Sequence, residues 1–308
     1  MGLFNYNVEK YSPKQLMIVP LVLLAISLVV LAYTTATTGL PVKPGIDFSG
    51  GTAVTIITPD TPEQITATFA GYPLVDIGQG VNNGKFITFG AMSDTQYQNL
   101  TALIEQKYPD ATVNQIGESF AKSLQSQAVI AVILAFIGMA IIVFIAFKTF
   151  VPSCAVVLSA FADMAMTAAV MNVIGITLSL GTTAALLMLI GYSVDTDILL
   201  TTRVLKRQGK LNDKLTGAFR TGIIMTSTAI AAVAVLLIVS WLGQVETIME
   251  ITSVLMIGLI FDIFNTWLTN VGIVKWYVLK EGGMEGGKGG GKIKQGGREG
   301  GKIKGGGK

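Results

Sequence analysis

The stretch QLMIVPLVLLAISLVVLAYTT, residues 15–35, decides the class of this protein. It carries no charge, and at the helical rise its length covers the roughly 30 Å of a bilayer's hydrocarbon core. The apolar run is too long for the core of a signal peptide, and no small-residue cleavage pattern closes it. The expectation is an uncleaved first membrane helix. Working outward, five further apolar runs of spanning length occur at about residues 127–147, 152–173, 178–202, 222–242 and 248–277. Between the first and second lies a polar block with no spanning segment.

Composition agrees with a polytopic membrane protein: 51% of the 308 residues are apolar and 13% are charged. There is no histidine. That removes Ser-His-Asp chemistry, histidine metal sites and histidine proton relays, and leaves carboxylates as the titrating groups at depth. Neither cofactor nor metal is expected, and the chain does not read as an enzyme. The lone Cys154 sits in an apolar run, where a buried, inert thiol is expected.

Positive charge sets an orientation. Lys10 and Lys14 precede the first helix, Lys148 separates the second from the third, and RVLKRQGKLNDK (203–214) joins the fourth to the fifth. The opposite short loops, NVIGIT and GQVE, hold no Lys or Arg. Both termini are therefore expected in the cytosol, with residues 38–125 outside the cell.

That block reads as a small α+β domain. GTAVTIIT (51–58) has strand composition, and TPEQITATFAG (61–71) opens with a threonine cap and a first-turn proline. A weak strand follows at 73–78, then the NNG turn (82–84) leads into KFITFG; SDTQYQNLTALIEQKY (93–108) is a second capped helix, and ATVNQIG (111–117) a last strand. The order β-α-β-β-α-β predicts a ferredoxin-like sheet. The chain thus divides into a cytosolic N-terminus (1–14), a first helix (15–37), the exterior domain (38–125), helices two to six (126–280) and a disordered Gly/Lys-rich tail (281–308). That tail's charge suits anionic headgroups or ribosomal RNA, although a solubilising role needs no partner and no nucleic acid is expected.

The join between helix and exterior domain is GIDFSGGT (45–52). Gly50 and Gly51 permit a bulge or a close backbone approach, and Asp47 can bond neighbouring backbone amides. Placed just outside a first helix, this segment, with Gly45, Asp47, Phe48, Gly50 and Gly51, resembles the signature of SecF, the smaller half of the SecD–SecF protein-export pair. SLGTTAALLMLIGYSVDTDILLTTRVLK (179–206) is similar to that family's fourth helix, FRTGIIMTST (219–228) to the start of its fifth, and FADMAMT (161–167) to an H-D pair in its third, with Ala162 in place of the histidine. The Asp-x-Asp pattern looks like the archaeal branch. The resemblance covers about residues 14–280. It implies an auxiliary subunit of Sec translocation within the resistance-nodulation-division superfamily. The implied partners are a SecD-like subunit, a SecYE-type channel, unfolded exported polypeptide and membrane lipids, and the implied driving force is the proton gradient.

The chemistry is expected among the membrane charges, because a carboxylate at mid-bilayer costs about 2.5–3.5 kcal/mol by insertion scales and needs a partner or polar cavity. Asp195 lies eight residues before Arg203, about 12 Å inside the cytosolic boundary, while Asp163 and Asp262 lie nearer the midplane. Asp195 and Asp197 stand about 200° apart on one helix, so both cannot share a narrow face. A coupling network of Asp195, Asp197 and Arg220 is expected, in which protonation releases a salt bridge; a fixed ion pair is the alternative. Asp195 is the carboxylate matched to the family's aspartate. Two rival readings are a half-unit of a small-molecule or lipid exporter, disfavoured by the small exterior domain, and an intramembrane aspartyl protease, whose G-x-G-D context is absent.

Overall fold

The computed structural model describes residues 10–80 and 82–288. Among the described residues six helices are long and apolar enough to cross a membrane, in the places the hydropathy predicts. The first is α1 (Pro13–Thr38). Ser12 caps it, accepting the Gln15 amide while the Gln15 side chain accepts the Ser12 amide. A single helical turn, α2 (Ile46–Ser49), then leads into the α+β domain.

That domain contains β1 (Gly51–Ile57), α3 (Pro62–Thr68), β2 (Leu74–Gln79), β3 (Gly84–Phe89), α4 (Asp94–Lys107) and β4 (Thr112–Ile116). The sheet order is β2-β3-β1-β4, and every neighbouring pair is antiparallel. Thr61 and Ser93 cap α3 and α4 with reciprocal Gln64 and Gln96 bonds, which is why both helices start where they do. Positive φ at Asn82 and Asn83 turns the β2–β3 hairpin. Alternation along the strands sends Val54, Ile56, Ile87 and Phe89 to one face, where Ile65, Phe69, Leu100 and Ile104 of the two helices cover them.

Residues 118–288 are mainly helical: α5 (Glu118–Phe147), α6 (Phe150–Ile174), α7 (Leu180–Lys206), α8 (Leu211–Gly243), α9 (Glu246–Phe264), a π-helical segment (Asn265–Asn270) and α10 (Val271–Lys288). The α9–α10 stretch is one spanning unit. The helices overrun two expected limits. α5 begins at Glu118, inside the block assigned to the exterior domain, and α10 continues to Lys288, past the expected start of an unstructured tail at 281. The tail residues 289–308 lie outside the described residues. Cys154 is half-buried in α6 rather than fully enclosed.

Burial ranks the membrane helices. In their most apolar windows α6 is 67% buried and α7 56%, against 11% for α5 and α8. α6 and α7 therefore form the middle of the bundle, with α9 packed on both. Glycines allow that approach: a side chain at Gly222 would strike the Trp267 ring, and one at Gly258 would strike Leu189.

Candidate functional site

The buried centre of the bundle is polar. Asp163 on α6 and Asp197 on α7 have no accessible surface, and Asp262 on α9 has 1%. Asp163 accepts hydrogen bonds from Ser193 Oγ at 2.5 Å and from Asn265 Nδ2 at 2.6 Å. Asp197 Oδ1 accepts from Thr266 Oγ1 at 2.8 Å and from Asn270 Nδ2 at 2.7 Å. The same Thr266 hydroxyl lies 3.2 Å from Asp262 Oδ1, so one side chain bridges two carboxyls. Asp197 Oδ2 and Asp262 Oδ2 are enclosed with no hydrogen-bond partner among the described residues. Among the described residues the ion pair within 4 Å is Lys122–Glu118, and no Lys or Arg pairs with these three carboxyls.

The π segment builds this arrangement. Asn265 and Asn270 are five residues apart, which on an α-helix leaves them about 140° out of line. The wider i→i+5 winding brings both inward, Asn265 to Asp163 and Asn270 to Asp197. Asn265, Thr266, Thr269 and Asn270 are all buried. These residues were not among the sequence candidates, yet a signal was present: NTWLTN puts four amides and hydroxyls into an apolar span.

The structure does not bring the residues of the expected Asp195–Asp197–Arg220 network together. Asp195 and Arg220 are both exposed, and no ion pair among the described residues joins Arg220 to either aspartate. The reason is helical phase. α8 packs through Ala218, Gly222 and Thr226, and Arg220 lies two residues from the first two, on the opposite side. α7 packs through Ser193, Val194, Thr196, Asp197, Leu200 and Thr201, leaving Asp195 on an exposed stripe with Met188, Gly191 and Tyr192. Asp197, not Asp195, joins the interior.

The GIDFSGGT segment also lands in a specific place. Phe48 is buried, and Asp47 Oδ2 accepts the Leu180 amide of α7 at 2.7 Å, so its backbone partner is 133 residues away rather than local. Gly50 and Gly51 both have positive φ, and a side chain at Gly51 would strike the Phe89 carbonyl. Gly45 donates its amide to Leu178 O at 2.8 Å.

Residues 96–280, from α4 into α10, match the family model described as protein export membrane protein SecD/SecF, C-terminal. The chain belongs to the SecD/SecF family. Its relatives there are SecF proteins. Protein-export membrane protein SecF of Methanolacinia petrolearia is 56% identical over 92% of this chain and 100% of its own length. The SecF proteins of Haloferax volcanii and Pyrococcus furiosus are 40% and 37% identical, covering 87% and 89% of this chain and 93% and 94% of their own lengths. The crystal structure of SecDF, a translocon-associated membrane protein from Thermus thermophilus, superposes with a TM-score of 0.70 at 21% identity. That match covers 86% of this chain and 38% of the longer SecDF chain, and at such identity it speaks to the fold. For a SecF-family membrane protein the buried carboxyl cluster is the feature of the bundle that packing alone does not explain.

Proposed function

We propose that this SecF-family chain is an auxiliary subunit of Sec translocation that works with a SecD-like partner, and that the Asp163–Asp197–Asp262 cluster binds the coupling proton. The observation that carries this reading is three enclosed carboxyls from three helices with amide and hydroxyl partners and, among the described residues, no cation paired to them. Among the described residues no side chain neutralises negative charge there, so a change in proton occupancy changes the forces between α6, α7 and α9 directly. Donors on the π segment hold the carboxyls, and π segments are frequent at functional sites, which makes this stretch the element that responds.

The exposed Asp195 and Arg220 belong in this reading to the partner face. A carboxylate turned to lipid carries the insertion cost of about 2.5–3.5 kcal/mol, and a SecD-like subunit covering that stripe of α7 removes it. Both termini lie in the cytosol and the sheet domain lies outside, where a ferredoxin-like βαββαβ unit engages emerging polypeptide near a SecYE-type channel; the basic loop 203–214 supports that orientation.

The test is export of a secreted reporter alongside complex yield with the SecD-like subunit. Asp197→Asn keeps an acceptor for Thr266 and removes titration, so export is expected to collapse while yield holds. Asp195→Asn is expected to lower yield more than export per complex. Normal export with Asp197→Asn would refute the coupling role.

A further inference from the structure

At the end of the bundle beside the sheet domain, four stretches of chain are stitched together. Leu178 donates its amide to Lys43 O at 2.7 Å, and Leu178 O accepts the Gly45 amide at 2.8 Å, a short parallel bridge between the α1 exit and the α7 entry. Asn172, near the end of α6, clamps the same strand from the side: its Oδ1 accepts the Lys43 amide at 3.1 Å, and its Nδ2 donates to Pro41 O at 2.8 Å. Asp47 then accepts the amide of Leu180, the first residue of α7. Ser179, the cap of that helix, donates to Glu250 of α9 at 2.9 Å.

Little slack separates these contacts from the sheet. Asp47 sits in α2, one helical turn long, and β1 starts at Gly51. Gly50 lies against the Glu118 backbone at the start of α5, and Gly51 lies against the Phe89 carbonyl of β3. Gly45 lies against Thr177. By contrast, the exit of α1 runs through Gly39, at φ 80°, with open space around it. The sheet domain is thus held to α7 by closely spaced contacts and to α1 by a loose turn.

We infer that residues 41–51 are a mechanical clip in which Asp47 is the positioning residue, joining β1 to the N-terminus of the helix that carries Ser193 and Asp197. A shift of α7 at the buried cluster is then delivered to the sheet without passing through α1. A carboxylate is suited to the joint, since it bonds an otherwise unpaired first-turn amide and lies at the positive end of the helix. This inference rests on the coupling role proposed for the cluster.

The experiment uses the chain in complex with its SecD-like partner and compares Asp47→Ala with Asp47→Asn. Amide hydrogen exchange of the first turn of α7 reads the clip, and export together with proton flux in vesicles reads its use. Asp47→Ala is expected to speed exchange at Leu180 roughly tenfold or more, as loss of a bond to a charged group implies. It should also lower export while proton flux and complex yield persist. Asp47→Asn, whose Oδ1 can accept the same amide, should restore both. Unchanged exchange in Asp47→Ala, or an export loss that only follows a loss of yield, would overturn the clip. Normal export in Asp197→Asn would sink the coupling reading instead, and the exchange measurement would still report on the clip.

Discussion

In the sheet domain the side chains closed off from solvent are, apart from Thr52 and Thr58, mostly large and apolar: Phe69, Phe89, Ile56, Ile65, Ile87, Leu100 and Ile104. In the bundle the closed-off set includes Ser153, Thr167, Thr182, Ser193, Asp163, Asp197, Asn265 and Asn270, while Val29, Ile142 and Val235 stand more than 60% exposed. The bundle also encloses Met171, Leu200 and Leu215, so the two halves differ in the polar groups they bury rather than in burying apolar ones. Water drives the first arrangement, since each apolar side chain removed from it contributes about 1.5–3 kcal/mol. Lipid tails give no such drive to an apolar side chain, so the bundle's interior is organised by close packing and by polar groups that must find partners.

The strongest way to break this contrast is to remove apolar volume on each side. Phe89 is fully buried and meets Phe69 edge-on at 5.3 Å. Phe89→Ala is expected to destabilise the sheet domain by about 3–5 kcal/mol, read by proteolysis of the intact complex. Val239→Ala, on an exposed stretch of α8, should stay within about 0.5 kcal/mol. Comparable losses at both positions would end the distinction.

A smaller effect is expected from a polar deletion inside the bundle. Asn265→Leu keeps similar bulk and leaves Asp163 Oδ1 without its donor, which should cost about 1–3 kcal/mol in thermal unfolding in detergent. A stabilised variant would mean that the bundle's centre behaves like the sheet domain's core.

The smallest effect concerns pH. Tyr108 donates to Asp60 at 2.7 Å. That hydrogen bond holds Asp60 below its ordinary value, and burial, followed by the bond to Asp60, pushes the Tyr108 hydroxyl to about 12. The depressed Asp60 contributes stability that is lost as pH falls through the carboxylate range, and the raised Tyr108 contributes stability that is lost as pH rises from about 10 through 12. Tyr108→Phe should flatten both flanks of the domain's stability curve and leave the bundle unchanged. Identical flanks in variant and parent would show that the pair adds nothing.

Much of the architecture was legible in the chain itself. Hydropathy located all six spans because a bilayer imposes length and composition on each segment independently. The strands and the capped helices of the sheet domain were readable because alternation, Ser/Thr caps and the Asn-Asn-Gly turn act within a few residues. The sequence also required Asp195 and Asp197 to point apart, since helical geometry alone sets that angle. Only the tertiary structure decided which of them turns inward. That choice depends on where Gly222 admits Trp267 and where α6 and α9 lie against α7, contacts between residues far apart in the chain. The π winding of Asn265–Asn270 and the bond from Asp47 to Leu180 were likewise hidden, because neither has a local cause. The first is drawn by carboxyls on two other helices, and the second closes across 133 residues.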